Sequence, residues 1–507
     1  MQVGDYKLDE KQEEIIKSEN DYILVTAGAG SGKTLTILGK IKYLIEEKNI
    51  APEEILCISF TNAATKSLAE KIKKDIGKEI KTYTFHKLSL EIIKSKRKNF
   101  SICDDSLLEM VTTEFFTQDV WKNTLIKQKL ENFFHKTCDK ITKEELKQLE
   151  KLCITFIKLM KSNNYALKDF INFHKEIRKI KNIRHYNKEK FILILILNIY
   201  RKYEQYLLEN NELDFDDLIT YATKIIKNKK RVKKIKHIII DEYQDTSFIR
   251  FALIRELINK TKAKLFVVGD DFQSIYKFSG CDISLFLNFK DFFPNAKIMK
   301  LCRTYRNSEE LIKIAGKFVM KNKKQIKKNL TSEKHLKYPI KIITYYNLKE
   351  TFLNLIATLP NSYKILVLGR NNKDINLILS DKVKEKENKI VIENDNREID
   401  YMTIHKSKGL ESDIVIIINL ENSITSLPSQ IKEERLTRLV MKNKEKYPFA
   451  EERRLFYVAL TRTRNEVYLL VPKKNPSIFI EELEYIMNYL EKPIKFFKSP
   501  GALNKKS

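Results

Sequence analysis

The sequence predicts an α/β fold in which two parallel-sheet lobes share one chain and a helical insertion interrupts the first lobe. Three observations carry this. Short apolar runs alternate with helical stretches in both parts of the chain, the pattern of parallel strands joined by crossover helices. Between residues 87 and 213 that rhythm gives way to Lys-, Leu- and Ile-rich text at helical spacing, with hardly any Gly or Pro. The 507 residues are enough for roughly three or four domains, each with a core of its own.

Taken in order, "DYILVTA" is a strand that enters a glycine loop, "EILCISF" a strand before an Ala-containing helix, and "HIIIDE" and "KLFVVGDD" two further strands. They assign residues 1–86 and 214–275 to the first lobe and 87–213 to the helical insertion. The run "FILILILNIY" at 191–200 falls far short of the roughly 20 residues of a membrane span. Because "YRKYEQYLLENN" continues it at helical spacing, it reads as a core helix. A second rhythm, "IMKLC", "IKIITYY", "KILVLGR", "DYMTIH", "DIVIIINL" and "EVYLLVP", defines the second lobe over 276–485. Short insertions are expected near 320–340 and 421–448, and 486–507 is a basic tail.

With 95 Lys plus Arg against 67 Asp plus Glu, the net charge is +28, spread along the chain. That balance points to a polyanionic partner, nucleic acid first, with a merely lysine-rich solvated surface as the bland alternative. The six cysteines, Cys57, Cys103, Cys138, Cys153, Cys281 and Cys302, show neither a CxxC pair nor matching histidine spacing. Neither a zinc site nor a disulfide framework is signalled, and a reducing, cytoplasmic location without membrane attachment is expected. The start, "MQVGDYKLDEKQEE", has no apolar signal core.

Three of the chain's 12 glycines, Gly28, Gly30 and Gly32, fall in "AGAGSGKT", residues 27–34, between a strand and a helix. Glycine lets successive amides curl inward around phosphate oxygens, while the helix that follows adds its positive end. Ala27, Gly28, Ala29, Gly30, Ser31 and Gly32 therefore form a phosphate cradle. Lys33 reaches the β- and γ-phosphates and Thr34 ligates Mg²⁺. Ala27 stands where the general pattern has glycine. In "HIIIDEYQDTS", Asp241 at the strand end lies near the metal and Glu242 is placed to orient and deprotonate a water. "VVGDD" repeats that strand-end geometry, which brings Gln273 beside the γ-phosphate.

In order, "AGAGSGKT", "ISFTNAATKSLAEKI", "TFHKL", "LDFDDLI", "IIIDEYQDTS", "VVGDDFQSIYKFSG", "LCRTYRNSEE", "MTIHKSKGLESDIVII" and "AEERRLFYVALTRTR" resemble the motifs of the UvrD/Rep-like superfamily 1 DNA helicases, from about residue 8 to residue 485. The resemblance implies two RecA-like lobes of the P-loop NTPase type, called 1A and 2A, with the helical insertion as 1B. It matches Gln12 to a glutamine that reads the adenine edge, Tyr305 to a ring stacked on the base, and Glu411 to a ribose-binding carboxylate. Arg306 and Arg462 match arginines that the second lobe brings to the γ-phosphate, the logic of an arginine finger. The DNA track it implies comprises Phe60, Thr61 and Asn62, His86, Tyr276 and Phe278, and Thr403 and His405, where aromatic faces stack on bases without regard to sequence.

The chain departs from the pattern in places. Phe278 stands where many relatives have Trp, Ser279 where many have Arg, and Tyr83 where glycine is usual before "TFH". Only 97 residues separate Arg306 from Thr403, so the large 2B insertion of longer members is expected to be reduced or absent. The glutamine-bearing segment begins by residue 8, which implies that the amino-terminal extension of some members is absent too. The function implied is an ATP- and Mg²⁺-dependent translocase that runs 3′ to 5′ on single-stranded DNA and opens 3′-tailed duplex, in DNA repair, recombination or replication restart. Its protein partners are unknown from sequence. Two rivals stay open: a translocase that displaces proteins or remodels RNA polymerase without unwinding, and a nucleic-acid-binding regulator in which nucleotide is only structural.

Overall fold

A computed structural model describes residues 1–230, 234–387, 389–393, 395–490 and 496–497. Six strands, β1 (Tyr22–Ala27), β2 (Ile55–Ser59), β3 (Thr82–Thr84), β4 (His237–Ile240), β5 (Lys264–Gly269) and β6 (Lys297–Leu301), form one sheet in the order β6-β1-β5-β4-β2-β3. Every pairing in it is parallel. Both faces are covered, so the strands read as continuous apolar runs. Successive residues of β1 feed opposite cores: Ile23, Val25 and Ala27 pack on one face and Leu24 on the other.

The first face packs against α1 (Glu10–Lys17) and α2 (Lys33–Glu46) and the base of α3 (Asn62–Ile76). The other face packs α4 (Phe85–Lys94) against helices later in the chain. Thr61 caps α3 by accepting from the Ala64 amide at 3.1 Å, and Thr84 caps α4 from the Lys87 amide at 3.2 Å. The helical segment has a separate core, built round α5 (Lys143–Ser162) and α6 (Ile183–Glu209). The expected core helix lies within α6. After it come α7 (Phe215–Asn228), which packs with α4, and α8 (Phe248–Thr261).

The second sheet has eight strands: β7 (Ile340–Tyr345), β8 (Ile365–Gly369), β9 (Val383–Lys386), β10 (Lys389–Ile392), β11 (Asp395–Thr403), β12 (Ser412–Ile417), β13 (Thr463–Pro472) and β14 (Phe496–Phe497). Their order is β9-β10-β11-β8-β12-β13-β7-β14, antiparallel only at β9/β10 and β10/β11. Helices α9 (Glu309–Val319), α11 (Ala450–Leu460) and α12 (Ile478–Tyr489) pack on one face of this sheet and a helix over Leu348–Thr358 on the other, while α10 (Thr437–Val440) lies between them in sequence.

Two boundaries read from sequence need correction. "IMKLC" is β6, hydrogen-bonded to the P-loop strand β1, so the first sheet runs on to Leu301 and does not end at 275. A strand's apolar pattern shows that it is buried but not which sheet it joins. Likewise α4 sits in the core of the first sheet, and the helical segment's own core begins at Cys103, not at 87.

The two expected short insertions are anchored to other parts of the chain. Residues 320–340 pair back on the chain near 303, where the Thr304 amide donates to the Thr331 carbonyl at 2.8 Å. Leu436 and Val440, beside and within α10, are buried in the core of the helical segment. The basic tail expected at 486–507 lies mostly outside the described residues.

Candidate nucleotide and nucleic-acid site

Between β1 and α2 the chain turns through Gly30 at φ +70° and Gly32 at φ +76°. A Cβ on Gly30 would lie 2.6 Å from the Arg306 Cβ, so the close approach itself requires glycine. The back of the loop is tied to the second half of the chain. The Thr304 hydroxyl donates to the Ala29 carbonyl at 2.7 Å, the Tyr305 amide to the Gly30 carbonyl at 2.9 Å, and the Ala29 amide to the buried Tyr457 hydroxyl at 3.3 Å. Gly28 donates to the Leu301 carbonyl of β6 at 3.0 Å. Among the described residues the buried Ser31 hydroxyl has no partner, and Thr34 lies in the first turn of α2.

Lys33 donates to the Glu242 carboxylate at 2.6 Å, across from the end of β4. Burial works against both charges. Glu242, Asp241 and Asp270 nevertheless hold the Lys33 ammonium above its usual range, and Lys33 and Lys408 hold the Glu242 carboxyl down at about 2. Burial and the neighbouring Glu242 push Asp241 up to about 6. An acid whose negative charge is so poorly compensated, with hydroxyl-bearing Thr34 on the facing helix, fits a hard divalent cation held by few protein ligands and phosphate oxygens. Glu242 has φ +50°, a conformation that costs a non-glycine residue about 1–3 kcal/mol. Gln244 fixes it there, donating to the other Glu242 oxygen at 2.6 Å while accepting from the Asp270 amide at 2.9 Å.

Gln273 is buried after β5; its amide donates to Asp270 at 2.7 Å and its carbonyl faces Arg462 at 3.5 Å. Arg462 is itself buried, donating to the carbonyls of Val458 at 3.0 Å and Leu410 at 3.2 Å. Burial and nearby Arg306 lower its pKa to about 10, so it remains a cation. Arg306 pairs with Glu411, which also takes Arg464 at 2.6 Å. Glu411 therefore sits between two arginines. The carboxylates of "VVGDD" do not repeat the geometry of Asp241 and Glu242, because both turn to the one buried cation Lys328.

At the base end, Gln12 and Tyr305 converge beside Gly32: a Cβ there would meet Gln12 Nε2 at 2.8 Å and the Tyr305 ring at 3.8 Å. The Gln12 side-chain carbonyl closes the capping box of α1 by accepting from the Asp9 amide at 3.0 Å, and its buried amide nitrogen has no partner among the described residues. Tyr305 is 54% exposed, its hydroxyl donating to Asp9 at 2.6 Å.

The aromatic residues of the expected DNA track form two groups. Tyr276, Phe278 and His405 make one: Phe278 lies 5.5 Å from the His405 ring and 6.0 Å from Tyr276, and the Tyr276 hydroxyl donates to the His405 carbonyl at 3.1 Å. Phe278 is 63% exposed, and Thr403 is buried beside this group. Gly280, at φ +83°, brings the same loop against Ser162 at the end of α5. Phe60 and His86 make the second group. Phe60 lies 5.4 Å from Phe85 and 5.2 Å from the Arg250 guanidinium, and His86 lies 5.2 Å from Phe215. Burial and Arg250 push His86 down to about 4. Thr61 and Asn62 are exposed at the start of α3.

Four residues that were given no role from sequence complete the arrangement: Asp245, Lys408 and Tyr457, which lie inside the quoted motifs, and Arg250, which lies outside them. Lys408 reaches the Asp245 carboxylate and the Gln273 main-chain carbonyl, and lies 4.8 Å from the Tyr276 ring centroid. Arg250 donates to the Asp245 carbonyl at 3.1 Å from the Phe60 side. The basic cluster in "HKSKG" was the available signal for Lys408. Nothing in the sequence marks Arg250.

A model described as the UvrD/REP helicase N-terminal domain matches residues 8–294, and one described as the UvrD-like helicase C-terminal domain matches 382–474. The chain is 30% identical to DNA helicase IV of Escherichia coli (strain K12) over 95% of its own length and 71% of the relative's. It is 28% identical to the ATP-dependent DNA helicase Rep of Buchnera aphidicola subsp. Acyrthosiphon pisum, over 97% of this chain and 76% of that one. Against the ATP-dependent DNA helicase PcrA of Bacillus subtilis (strain 168) the identity is 30%, covering 64% and 40%.

Proposed function

The chain belongs to the UvrD/Rep helicase family, and from that premise we propose that it is an ATP-dependent DNA helicase that moves 3′ to 5′ on single-stranded DNA, in DNA repair, recombination or replication restart. The observation that carries the proposal is one shared cation. Lys408 lowers the charge cost at Glu242, holds Gln273 by its main-chain carbonyl, and lies over Tyr276 of the exposed aromatic group. A change at the nucleotide thus has a physical route to the DNA grip.

The two sheets act as the two lobes, and ATP binds between them. Its phosphates take Lys33 away from Glu242, which loses its strongest counter-charge and becomes basic enough to activate water. Water attacks the γ-phosphorus, its proton passes to Glu242, and the bond to the ADP oxygen breaks. Arg306 and Arg462 stabilise the charge on the transferring group. Thr34 and Asp241 would hold Mg²⁺, which supplies neutralisation of the β- and γ-phosphate oxygens. Gln12 and Tyr305 take the base. Phe60, His86, Tyr276, Phe278 and His405 grip the strand by stacking, with Thr61, Asn62 and Thr403 at phosphates.

ATPase rates with single-stranded DNA, duplex DNA and RNA, alongside unwinding of 3′- and 5′-tailed duplexes, test the proposal. Single-stranded DNA should stimulate hydrolysis and only the 3′-tailed duplex should open. Displacement of streptavidin from DNA without any unwinding would favour the protein-displacing rival instead, and an ATPase indifferent to DNA would defeat the proposal.

Phe278→Ala should slow translocation far more than it weakens nucleotide binding, since one stacked base contributes about 1–3 kcal/mol. The ring is mostly exposed, so the melting temperature should stay nearly unchanged. Equal losses in translocation and nucleotide affinity, by stopped-flow translocation and fluorescent-nucleotide titration, would remove Phe278 from the track.

A further inference from the structure

Lys328 lies in the lysine-rich run "MKNKKQIKKNLTSEK". Its neighbours Lys323, Lys324 and Lys327 are exposed, as such a run leads one to expect, but Lys328 is 1% exposed. Its ammonium has three acceptors: the Ala27 carbonyl at 2.8 Å, Asp270 at 2.5 Å and Asp271 at 2.6 Å. It also lies 3.9 Å from the centroid of the Phe272 ring. Lysine's three donors are all used, in a setting where an unpaired charge is very costly. Burial opposes its charge, and the two carboxylates outweigh burial and keep it protonated.

The partners lead in two directions. Ala27 ends β1 and opens the phosphate loop. Asp270 uses one oxygen for Lys328 and offers the other to the Gln273 amide at 2.7 Å, and the Gln273 carbonyl faces Arg462. Asp271 is held by Gln325 at 2.9 Å and by the Ile326 amide at 2.9 Å, from the same segment that carries Lys328. The segment is therefore a support beneath the nucleotide site.

We propose that Lys328 is a positioning residue for Gln273: it fixes the Asp270 carboxylate, Asp270 orients the Gln273 amide, and the Ala27 contact ties that orientation to the phosphate loop. This rests on the nucleotide-hydrolysing function proposed above. Gln273 then reads the γ-phosphate correctly only while Lys328 is in place.

Lys328→Met leaves two buried carboxylates uncompensated, so the principal test is Lys328→Met combined with Asp271→Asn, which restores the single excess negative charge of the native trio. Asp270→Asn, nearly isosteric, interrupts the same chain from its other end. Three readouts are compared with Gln273→Ala: thermal melting, affinity for ADP with beryllium fluoride relative to ADP alone, and kcat for ATP.

The variants should melt as folded proteins and bind ADP normally. They should lose the preference for the γ-phosphate mimic and fall about 10- to 100-fold in kcat, as for a misplaced reacting group. Adding Gln273→Ala should then cost little more. An unchanged preference in either folded variant overturns the proposal, as do losses that multiply with those of Gln273→Ala. Because the mimic is read by binding, a wild-type protein that discriminates it without hydrolysing ATP would defeat the proposed function and leave Lys328 testable.

Discussion

Glu242→Gln should lower DNA-stimulated ATP turnover by about 10²- to 10⁴-fold, the range for removing a positioned general base, while ATP still binds. The substitution keeps the volume and the Gln244 contact region and removes only the charge. In the structure that charge is paired with Lys33, and Lys33 and Lys408 keep its pKa at about 2 despite burial. A carboxylate held so low is a poor base. It becomes a good one when phosphate draws Lys33 off, so activation of water is coupled to occupancy. In Glu242→Gln the ammonium is released without that exchange, and ATP affinity should stay the same or rise. The amide should still adopt φ +50°, so the backbone strain is common to both proteins. Single-turnover hydrolysis and nucleotide titration read the two effects separately. Hydrolysis within tenfold of wild type would take the general-base role from Glu242 and revive a purely structural nucleotide.

How much of this the sequence disclosed depends on how local each feature is. The glycine-rich turn between β1 and α2 was legible because strand, glycines, Lys33, Thr34 and helix are consecutive, and the strand-end position of Asp241 and Glu242 because an apolar run precedes them. The strand β6 was assigned to the wrong lobe because its pairing with β1 spans 274 residues and leaves no local trace. The contacts that finish the site are of the same kind. Tyr457 reaches Ala29 from 428 residues away and Lys328 reaches Ala27 from 301. Lys328 was further hidden by its exposed lysine neighbours, since a charge run ordinarily marks a solvated face. Leu436 and Val440 belong to the core of a different part of the chain for a similar reason: their apolar character was visible and their partner was not.

Arg462→Ala should abolish most DNA-stimulated hydrolysis, by about 10³- to 10⁵-fold as for a lost arginine finger, with a much smaller change in nucleotide affinity. The guanidinium is anchored through Nε to the Val458 carbonyl, through Nη1 to Leu410 and through Nη2 to the Thr461 hydroxyl at 3.2 Å, with Gln273 at its edge. That fork is planar and uses several donors at once, so its direction is set before ATP arrives. The same burial that lowers its pKa to about 10 makes the charge act in a poorly screened environment. Arg306 differs. It is engaged by Glu411 and must leave that carboxylate to reach phosphate. Alanine at 462 also empties the volume of a buried side chain and removes its hydrogen bonds, so a lower melting temperature is expected and must be separated from the kinetic loss. Arg462→Lys makes the separation: it keeps a cation and much of the packing but cannot serve three acceptors and phosphate together. If the role is directional, the lysine variant should melt closer to wild type yet hydrolyse nearly as slowly as the alanine one. Recovery of wild-type kcat in Arg462→Lys would mean that only charge is needed there, and the arginine-finger geometry would fall.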